Sequence, residues 1–362
     1  MKDILDRVIK SDQPESKDII VMLKACGEDQ KALLSSARLI KNKSLGNKVY
    51  FRGLIEFSNI CSKDCLYCGI RKGNFFIDRY NISDQDIINA AGFARANNYA
   101  SIVLQSGEIF SPVFTRRIEN LLKKIHKATD GSLRITLSLG EQDKETYIRW
   151  FNSGAHRYLL RIETSNPDLY VRIHPQDDLH NFDKRLQSLY HLKSIGYQTG
   201  TGVMIGLPGQ TYEDLANDIL FMKTFEIDMV GMGPYIEHSD TPLFNSNNSL
   251  NLQQRFSLTL NMIAVLRIVM PKINIAAATA LQAIDKMGRE KAILAGANVI
   301  MPNITPGIYR DSYSLYNNKP CTDENADDCI NCLDARIKMT GSEIGYGEWG
   351  DSIFFIDKSS SC

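Results

Sequence analysis

Apolar positions change their spacing along the chain. Up to about residue 47, Leu5, Val8 and Ile9 and the apolar positions after them keep helical spacing, which predicts a helical extension over residues 1–47. From residue 49 onward, short runs rich in β-branched residues alternate with longer amphipathic stretches. This second rhythm predicts strands that alternate with helices.

Eight strands and seven helices follow from this rhythm. The predicted strands are Val49–Phe57, Ser101–Gln105, Arg134–Leu139, Arg157–Ile162, Thr199–Ile205, Met229–Pro234, Ile273–Ala277 and Asn298–Met301. The predicted helices are Asp84–Ala96, Pro112–Thr129, Lys144–Ser153, Asp183–Ile195, Thr211–Thr224, Leu252–Ile268 and Gly288–Leu294. Alternating strands and helices in this number predict an α/β fold, a closed (β/α)8 TIM barrel over residues 48–304. The alternative is an open doubly wound sheet, but its nucleotide-binding glycine motifs are missing from the sequence.

Composition narrows the class of partner. The chain has 362 residues, with 42 basic and 42 acidic side chains. This balance gives no bulk attraction to nucleic acid or to an anionic membrane. No apolar run approaches the roughly 20 residues of a membrane span, and the N-terminus lacks a secretory apolar region. We therefore expect a cytoplasmic protein with a small-molecule substrate, and no nucleic-acid or membrane partner.

Six of the eight cysteines form two groups of three. A disulfide framework would spread cysteines through a short secreted chain, whereas grouped cysteines in a long chain without an export signal favour metal or redox chemistry. The second group falls in residues 305–362. We expect this C-terminal segment to be an irregular polar loop over 305–335, followed by a last helical stretch, that closes the barrel.

The first group, Cys61, Cys65 and Cys68, has C-x3-C-x2-C spacing and follows the first predicted strand. A [4Fe–4S] cluster normally takes four thiolates. Three cysteines leave one iron free to bind the amino and carboxylate groups of S-adenosylmethionine (SAM), and one electron then releases a 5′-deoxyadenosyl radical. A zinc loop is the alternative, but zinc needs a fourth nearby Cys or His, and this loop has none.

This loop, with Tyr67 directly before the last cysteine, resembles that of the radical SAM superfamily, where the aromatic residue packs near the adenine. Further segments resemble the HydE family of [FeFe]-hydrogenase maturases, within a group that includes biotin synthase and methylornithine synthase. These segments span roughly residues 49 to 335 and stand at the ends of the predicted strands, where barrel enzymes carry their catalytic residues. They are 55–59, 103–108, 136–141, 158–164, 206–211, 229–234 and 298–303.

The resemblance implies SAM-binding roles for residues at the strand ends. They are Gln105, Ser138, Glu163, Met204 and Gly206, together with Arg185 on the predicted helix Asp183–Ile195. It assigns Glu163 to the ribose hydroxyls or the amino group of SAM, and Arg185 to its carboxylate. The alternatives are a salt bridge at the barrel rim for Glu163 and an exposed helix position for Arg185. Arg161 and Glu163 are two residues apart on one strand, so their side chains point to the same side.

The resemblance also implies a substrate site. Arg161 and Thr136, with Ser138, would form an anion-accepting patch, and Tyr313 and Tyr316 would reach over the barrel mouth. Thr279 follows the seventh strand, where relatives often carry two threonines and this chain has Ala278 and Thr279. Some relatives also have a histidine at the position of Ile162. These differences concern the substrate pocket rather than the cofactor.

The second cysteine group, Cys321, Cys329 and Cys332, has C-x7-C-x2-C spacing. It is similar to a second, surface cluster of some HydE-like proteins, either [2Fe–2S] or [4Fe–4S], which other members lack. A structural zinc site and free thiols are the alternatives. We expect this site to be dispensable for the radical step.

Together these features predict a radical SAM enzyme. The resemblance implies that it acts in maturation of the [FeFe]-hydrogenase H-cluster, on a small cysteine-derived or iron–cysteine substrate. Other hydrogenase maturases and a reducing electron donor are its expected partners. One alternative is another biotin synthase-like enzyme, such as a mutase of the methylornithine synthase type. A second is a non-catalytic iron–sulfur electron-transfer or scaffold protein, which would not need SAM.

Overall fold

Three helices form the first part of the molecule. The computed structural model describes residues 1–11, 13–322 and 326–360, without the side chains of residues 326–331. The helices are α1 (Lys2–Lys10), α2 (Ser16–Leu23) and α3 (Gly27–Leu45). They confirm the predicted helical extension and pack against α10 (Leu252–Val269). The Asn261 amide on α10 donates to the carbonyls of Leu23 and Ala25, which ties the extension to the rest of the protein.

Strands occur at all eight predicted places, and three of the predicted strands are divided in two by a short irregularity. The strands are β1 (Lys48–Phe51), β2 (Gly53–Ser58), β3 (Ser101–Ser106), β4 (Arg134–Ser138), β5 (Ala155–Leu159), β6 (Gln198–Thr201), β7 (Met204–Ile205), β8 (Met229–Val230), β9 (Gly233–Pro234), β10 (Asn274–Ile275), β11 (Val299–Ile300) and β12 (Glu343–Ile344).

A parallel sheet of seven strands, in the order β10-β8-β6-β5-β4-β3-β2, is the centre of the fold. Its two edges meet through the eighth strand region. β11 pairs in parallel with β1. The Ala277 amide donates to the Val299 carbonyl at one edge, and the Leu54 amide donates to the Pro302 carbonyl at the other. The sheet therefore curls on itself, and the prediction of a (β/α)8 barrel is confirmed.

Helices cover the outside of the sheet. They are α4 (Asp84–Ala96), α5 (Pro112–Ala128), α6 (Lys144–Asn152), α7 (Pro167–Ile173), α8 (Phe182–Ile195), α9 (Tyr212–Thr224), α10, α11 (Thr279–Ile284), α12 (Gly288–Leu294), α13 (Ala326–Met339) and α14 (Ile353–Ser360). Side-chain caps start several of them. Thr211 and Asp214 form a reciprocal capping box at α9, which satisfies backbone amides that the first turn leaves free.

The C-terminal segment differs from the sequence prediction. Instead of a loop up to residue 335, helix α13 begins at Ala326. Leu333 and Ile337, one turn apart, are buried at 4% and 0% exposure, which gives this polar stretch an apolar anchor. The short helices α7, α11 and α14 were also not predicted.

Residues near the C-terminus close the amino-terminal end of the barrel. The fully buried Arg157 pairs with Asp351 and donates to the Trp349 carbonyl. Arg52 donates to the Gly350 carbonyl at 3.2 Å, and the Ser101 hydroxyl donates to the Trp349 carbonyl at 2.8 Å. The carboxyl ends of the strands, at the opposite end, are where barrel enzymes carry their chemistry.

Candidate active site

A cavity of about 350 Å³ lies at the carboxyl ends of the strands. Most of the residues selected from the sequence line it. They are Cys61, Cys65, Tyr67, Cys68, Gln105, Ser138, Arg161, Glu163, Arg185, Met204, Thr279, Tyr313, Tyr316 and Cys321. The structure therefore brings the first cysteine loop, the strand ends and the C-terminal segment to one cavity.

Two of the residues selected on the strands do not line this cavity. Thr136 lines a second, much smaller cavity, one layer deeper than Ser138 on the same strand. Gly206 lies behind the cavity wall, where its amide donates to the Gln210 side chain and a Cβ atom would meet Arg255 at 2.5 Å. A strand-end position fixes the side of the sheet but not the depth, and the roles of these two residues remain predictions.

The cysteine loop follows β2 and places three half-buried thiols at the cavity. Burial raises the pKa of the Cys65 thiol, and burial followed by the charge of Cys61 raises the pKa of Cys68 to about 12. The Glu108 amide donates to the Cys61 sulfur at 3.3 Å. Buried thiolates at this position need a cation to compensate them, which is the condition that an iron–sulfur cluster meets.

The cysteine loop offers three thiols and no fourth Cys or His, which favours a cluster over a single zinc ion. One zinc ion draws its ligands to about 2.0–2.3 Å from one point. In the part of the chain that the structure describes, no three His, Cys, Asp or Glu side chains converge in that way. Three cysteines that each bind a different iron of a cube can stand further apart, and the donor set of this loop fits that arrangement.

A buried network of four charges fixes the cysteine loop. Lys63, within the loop, pairs with Glu108 and Glu141 at 3.1 Å each. Arg185 on α8 pairs with the same two carboxylates at 2.8 and 2.9 Å. Burial acts to raise the pKa of Glu108, but Arg185 and Lys63 outweigh it and hold that pKa below its usual value. The loop is thereby tied to the carboxyl ends of β3 and β4.

Hydrogen bonds from the segment after α7 hold the same loop from another side. The Asp64 amide donates to His180 Nε2 at 2.9 Å. The Tyr67 hydroxyl lies 3.3 Å from His174 Nε2. Burial lowers the pKa of His174 to about 3, so this imidazole stays neutral. Gly107 allows the cysteine loop to lie close to the end of β3. A Cβ atom at this position would lie 2.2 Å from the Ile60 carbonyl oxygen, inside contact distance.

Glu163 and Arg161 form an ion pair at 2.9 Å, so their side chains do point to the same side, as predicted. Glu163 has a backbone φ of +67°, in the left-handed region that non-glycine residues rarely adopt. Strain of this kind persists where the surrounding structure imposes it and is common at functional sites. The Glu163 carboxylate is thus held at the cavity by a constrained turn.

Asp218 on α9 is the residue that fixes this turn. Its Oδ1 accepts hydrogen bonds from the Ser165 amide and hydroxyl, both at 2.6 Å. Next to it, Asp214 accepts from the Asn166 side-chain amide at 2.7 Å. Burial is the main cause that raises the pKa of Asp218 to about 7. The residues after Glu163 are therefore anchored to a carboxyl group that titrates near neutral pH.

We expect Asp218→Asn to flatten the pH dependence of stability. A carboxyl whose folded-state pKa is raised binds more protons in the folded than in the unfolded state, so its contribution falls as pH rises from about 4 to about 7. The free energy of unfolding of the wild type should decrease over that window more than that of the variant. Denaturant titrations at several pH values measure this, and parallel curves for the two proteins would contradict it.

The segment from Tyr313 to Cys321 covers the barrel mouth. Lys319 forms a buried ion pair with Glu56 on β2, with Nζ–O distances of 2.7 and 2.8 Å. Its Nζ also donates to the Tyr313 carbonyl and lies 4.8 Å from the centre of that tyrosine ring. Gln105 Nε2 donates to the Tyr313 hydroxyl at 3.3 Å. The tyrosine selected from the sequence is therefore held by two residues, Lys319 and Gln105.

The second cysteine group is described only in part. Cys321 lines the cavity, with a backbone φ of +64°, and Gln282 Nε2 lies 3.9 Å from its sulfur. Cys332 is exposed on α13, where its sulfur interacts with Arg336. The side chain of Cys329 lies outside the described residues.

Sequence reasoning missed several charged residues of the site. Glu56 lies within β2, and Glu108 and Glu141 follow β3 and β4, all inside the segments already noted, so a charged residue in or shortly after an apolar strand was an available signal. Lys63 stands within the cysteine loop itself. Lys319 and Arg289 also line the cavity, but nothing in their local sequence indicates it.

This chain is similar to known proteins in sequence and in fold. Residues 55–222 match the family model of the Radical SAM superfamily, and the chain is a radical SAM enzyme. It is 44% identical over 320 residues to the [FeFe] hydrogenase maturase subunit HydE of Thermotoga maritima, which covers 88% of each protein. The chain therefore belongs to the HydE family.

More distant relatives share the fold. The 3-methylornithine synthase of Methanosarcina acetivorans is 26% identical over 297 residues, covering 82% of this chain and 81% of that protein. The crystal structure of a methylornithine synthase superposes with a TM-score of 0.81 at 24% identity, covering 99% of this chain and all of the other. Membership in an enzyme family removes the alternative of a non-catalytic iron–sulfur carrier. Among the described helices, none is both long and apolar enough to cross a bilayer.

Proposed function

We propose that this enzyme takes part in maturation of the [FeFe]-hydrogenase H-cluster, by acting on a small cysteine-derived or iron–cysteine substrate inside the barrel. The observation that carries the proposal is the 44% identity over 88% of the chain to the HydE maturase. The cavity of about 350 Å³ beside the cysteine loop supports it, because it offers space for a small ligand next to the cysteines.

Cys61, Cys65 and Cys68 would hold a [4Fe–4S] cluster with one iron open to SAM. When bound, this group supplies the electron that cleaves SAM to methionine and a 5′-deoxyadenosyl radical. The protein's part is to fix the loop through Lys63 and to exclude solvent. The buried charge network of Lys63 and Arg185 supports this role, since it ties the loop to two strand ends.

SAM would lie along the strand ends that face the loop. Glu163, whose turn is constrained, would accept hydrogen bonds from the ribose hydroxyls or the amino group. Arg185 uses Nε and Nη1 for protein oxygens. Its Nη2 makes no hydrogen bond with the described residues, so it can donate to the SAM carboxylate. Gln105 and Ser138 offer uncharged hydrogen-bonding groups, and Tyr67 and Met204 offer apolar contact for the adenine and ribose.

The substrate would occupy the part of the cavity next to SAM. Arg161, Tyr313 and Thr279 line it, and they offer a cation and two hydroxyls. The Thr136 hydroxyl lies one layer deeper and has no hydrogen-bond partner among the described residues. We assign Thr136 an indirect role, through the floor of the cavity, rather than direct contact with the substrate.

Cys321, Cys329 and Cys332 would hold a second cluster, [2Fe–2S] or [4Fe–4S], in the C-terminal segment. Replacing Cys329 with alanine should lower the iron content of the reconstituted protein and leave SAM cleavage in place, because Cys329 belongs to a different segment from the first loop. Iron analysis and a SAM cleavage assay measure the two effects. Unchanged iron content would contradict the second cluster.

We place the reaction in the cytoplasm, with a reducing electron donor and other hydrogenase maturases as partners. Among the described residues six cysteines are free thiols, which suits a reducing compartment.

Two assays test the function in order. The protein is reconstituted anaerobically with iron and sulfide, reduced, and given SAM, and 5′-deoxyadenosine or an adenosylated product is measured. It is then added to an assembly reaction that lacks only its HydE component, and hydrogenase activity is measured. No SAM cleavage would overturn the enzymatic mechanism. SAM cleavage without active hydrogenase would overturn the maturation role alone.

A further inference from the structure

Exposed apolar side chains are concentrated at one end of the barrel. Among the described residues, seven large apolar side chains are at least 65% exposed, and five of the seven belong to the segments that follow β2, β3 and β11. Phe75 and Phe76 are the most exposed of all, at 89% and 85%. The other three are Phe110, Val113 and Ile308. Apolar groups that cluster on a protein surface mark a place where another molecule binds.

The three segments that carry these residues are neighbours in space. β2 pairs with β3 on one side and meets the segment after β11 on the other. The Ser62 amide donates to the Glu108 carbonyl. The rings of Tyr80 and Tyr309 stack with their centres 5.1 Å apart, next to Ile308 in the chain. The segments therefore form one surface at the barrel mouth, which we call the outer loop surface (residues 59–80, 107–117 and 303–312).

The outer loop surface is the outside of the cysteine loop. Residues 59–80 carry both the three thiols that line the cavity and the exposed Phe75 and Phe76. Ile60, directly before Cys61, is itself 40% exposed. Arg79 donates to the carbonyls of Asn59 and Ile70, on either side of the cysteines, at 2.7 and 2.8 Å. A protein bound on this surface would therefore lie next to the cluster that the loop would hold.

Positive charge is also in excess on this surface. The whole chain has 42 cations and 42 carboxylates, but the three segments have seven cations and four carboxylates. The cations are Lys63, Arg71, Lys72, Arg79, Arg116, Arg117 and Arg310, and the carboxylates are Asp64, Asp78, Glu108 and Asp311. Lys72, Arg79 and Arg116 are exposed and make no ion pair with the described residues. Unpaired surface cations attract and steer an acidic partner.

We propose that the outer loop surface docks a small acidic protein that delivers single electrons, and that Phe75 and Phe76 are its apolar contacts. The inference rests on the proposed function, because a cluster that cleaves SAM must first receive one electron. In this step the carrier loses one electron to the cluster, and no bond forms or breaks. Electron-transfer complexes are small and transient, so a few apolar side chains among steering charges suit them.

The excess positive charge also argues against a second copy of this chain as the occupant. A two-fold dimer would place the same surface on both partners. Seven cations and four carboxylates would then face an identical set, and like charges across an interface oppose association. An acidic partner meets no such repulsion.

Two kinds of reductant separate docking from catalysis. Dithionite needs no docking surface, whereas reduced ferredoxin and reduced flavodoxin, both small acidic proteins, do. In the double variant Phe75→Ser with Phe76→Ser, we expect the carrier concentration that gives half-maximal 5′-deoxyadenosine formation to rise about tenfold or more. The rate with dithionite should stay unchanged. The matched control is Leu39→Ser with Met339→Ser, at side chains 70% and 74% exposed outside this surface, and it should behave as the wild type.

Salt tests the contribution of charge. Added salt should raise the half-saturating carrier concentration of the wild type, and it should do so less in Lys72→Glu. The docking surface would be wrong if dithionite but neither carrier supports the reaction of the wild type, or if the phenylalanine variant keeps wild-type half-saturation. It would also be wrong if that variant loses the dithionite rate, since the segment would then support the cluster itself.

A binding measurement is independent of SAM cleavage. Isotope-labelled oxidised flavodoxin is titrated with the reconstituted protein, and its nuclear magnetic resonance signals should broaden with the wild type and much less with the phenylalanine variant. Such binding in a protein that cleaves no SAM would count against the proposed function alone. A wild type that forms dimers in solution, with the phenylalanine variant monomeric, would assign the surface to a second copy and overturn the electron carrier.

Discussion

Replacing Cys65 with alanine is expected to remove the [4Fe–4S] cluster and to reduce SAM cleavage to background. The three thiols of the loop are its only cysteines, and each would serve a separate iron. With two thiolates left, half of the cube would lack protein ligands, and SAM would lose the open iron that orients it. The visible absorbance of the reconstituted protein, its iron content and 5′-deoxyadenosine formation are the measurements.

A matched cysteine separates this effect from general thiol loss. Cys26 is exposed at the start of α3, outside the cavity lining, so Cys26→Ala should keep both the cluster and SAM cleavage. A Cys65→Ala protein that retains a cluster and forms 5′-deoxyadenosine would show that another side chain ligates the iron. The assignment of the three cysteines of the loop as the protein ligands of the cluster would then be wrong.

The barrel could be predicted because each of its strands and long helices is recognisable from a short stretch of sequence. Each strand is a short apolar run and each long helix an amphipathic stretch, and neither depends on residues far away in sequence. The helices Asp84–Ala96 and Gly288–Leu294 occur with the predicted bounds. Short helices such as α11 have too few residues for a visible period, and they were missed for that reason.

The candidate site could be predicted in outline for a related reason. Carboxyl ends of parallel strands meet at one end of a barrel, so Gln105, Ser138 and Glu163 were expected together, and all three line the cavity. Depth along the barrel axis was not predictable in this way. Thr136 shares the strand of Ser138 but belongs to the layer beneath it, where the tilt of the strands decides which side chains reach the cavity.

Long-range pairs could not be predicted at all. Glu56 and Lys319 are separated by 263 positions, and neither has a neighbour in sequence that indicates the other. Asp218 is one of several acids on an ordinary helix until the fold places Ser165 against it. These contacts exist only once the chain has folded, and no short stretch of sequence indicates them.

Replacing Lys319 with methionine is expected to cost about 3–5 kcal/mol of stability, the usual effect of removing one partner from a buried ion pair. Glu56 would keep Asn303 as a hydrogen-bond donor, but its carboxylate, 2% exposed, would lose its cation. The segment that carries Tyr313 would also lose its attachment to β2. Denaturant unfolding of variant and wild type measures the difference.

Two comparison variants identify the cause of that loss. Lys48→Met breaks an ion pair with Glu348 in which both side chains are more than 40% exposed, and it should cost at most about 1 kcal/mol. The double variant Glu56→Gln with Lys319→Met removes the unpaired buried charge and should be more stable than Lys319→Met alone. If Lys319→Met costs no more than Lys48→Met, the carboxylate of Glu56 does not depend on Lys319. The attachment of the covering segment would then have to come from its tyrosine contacts instead.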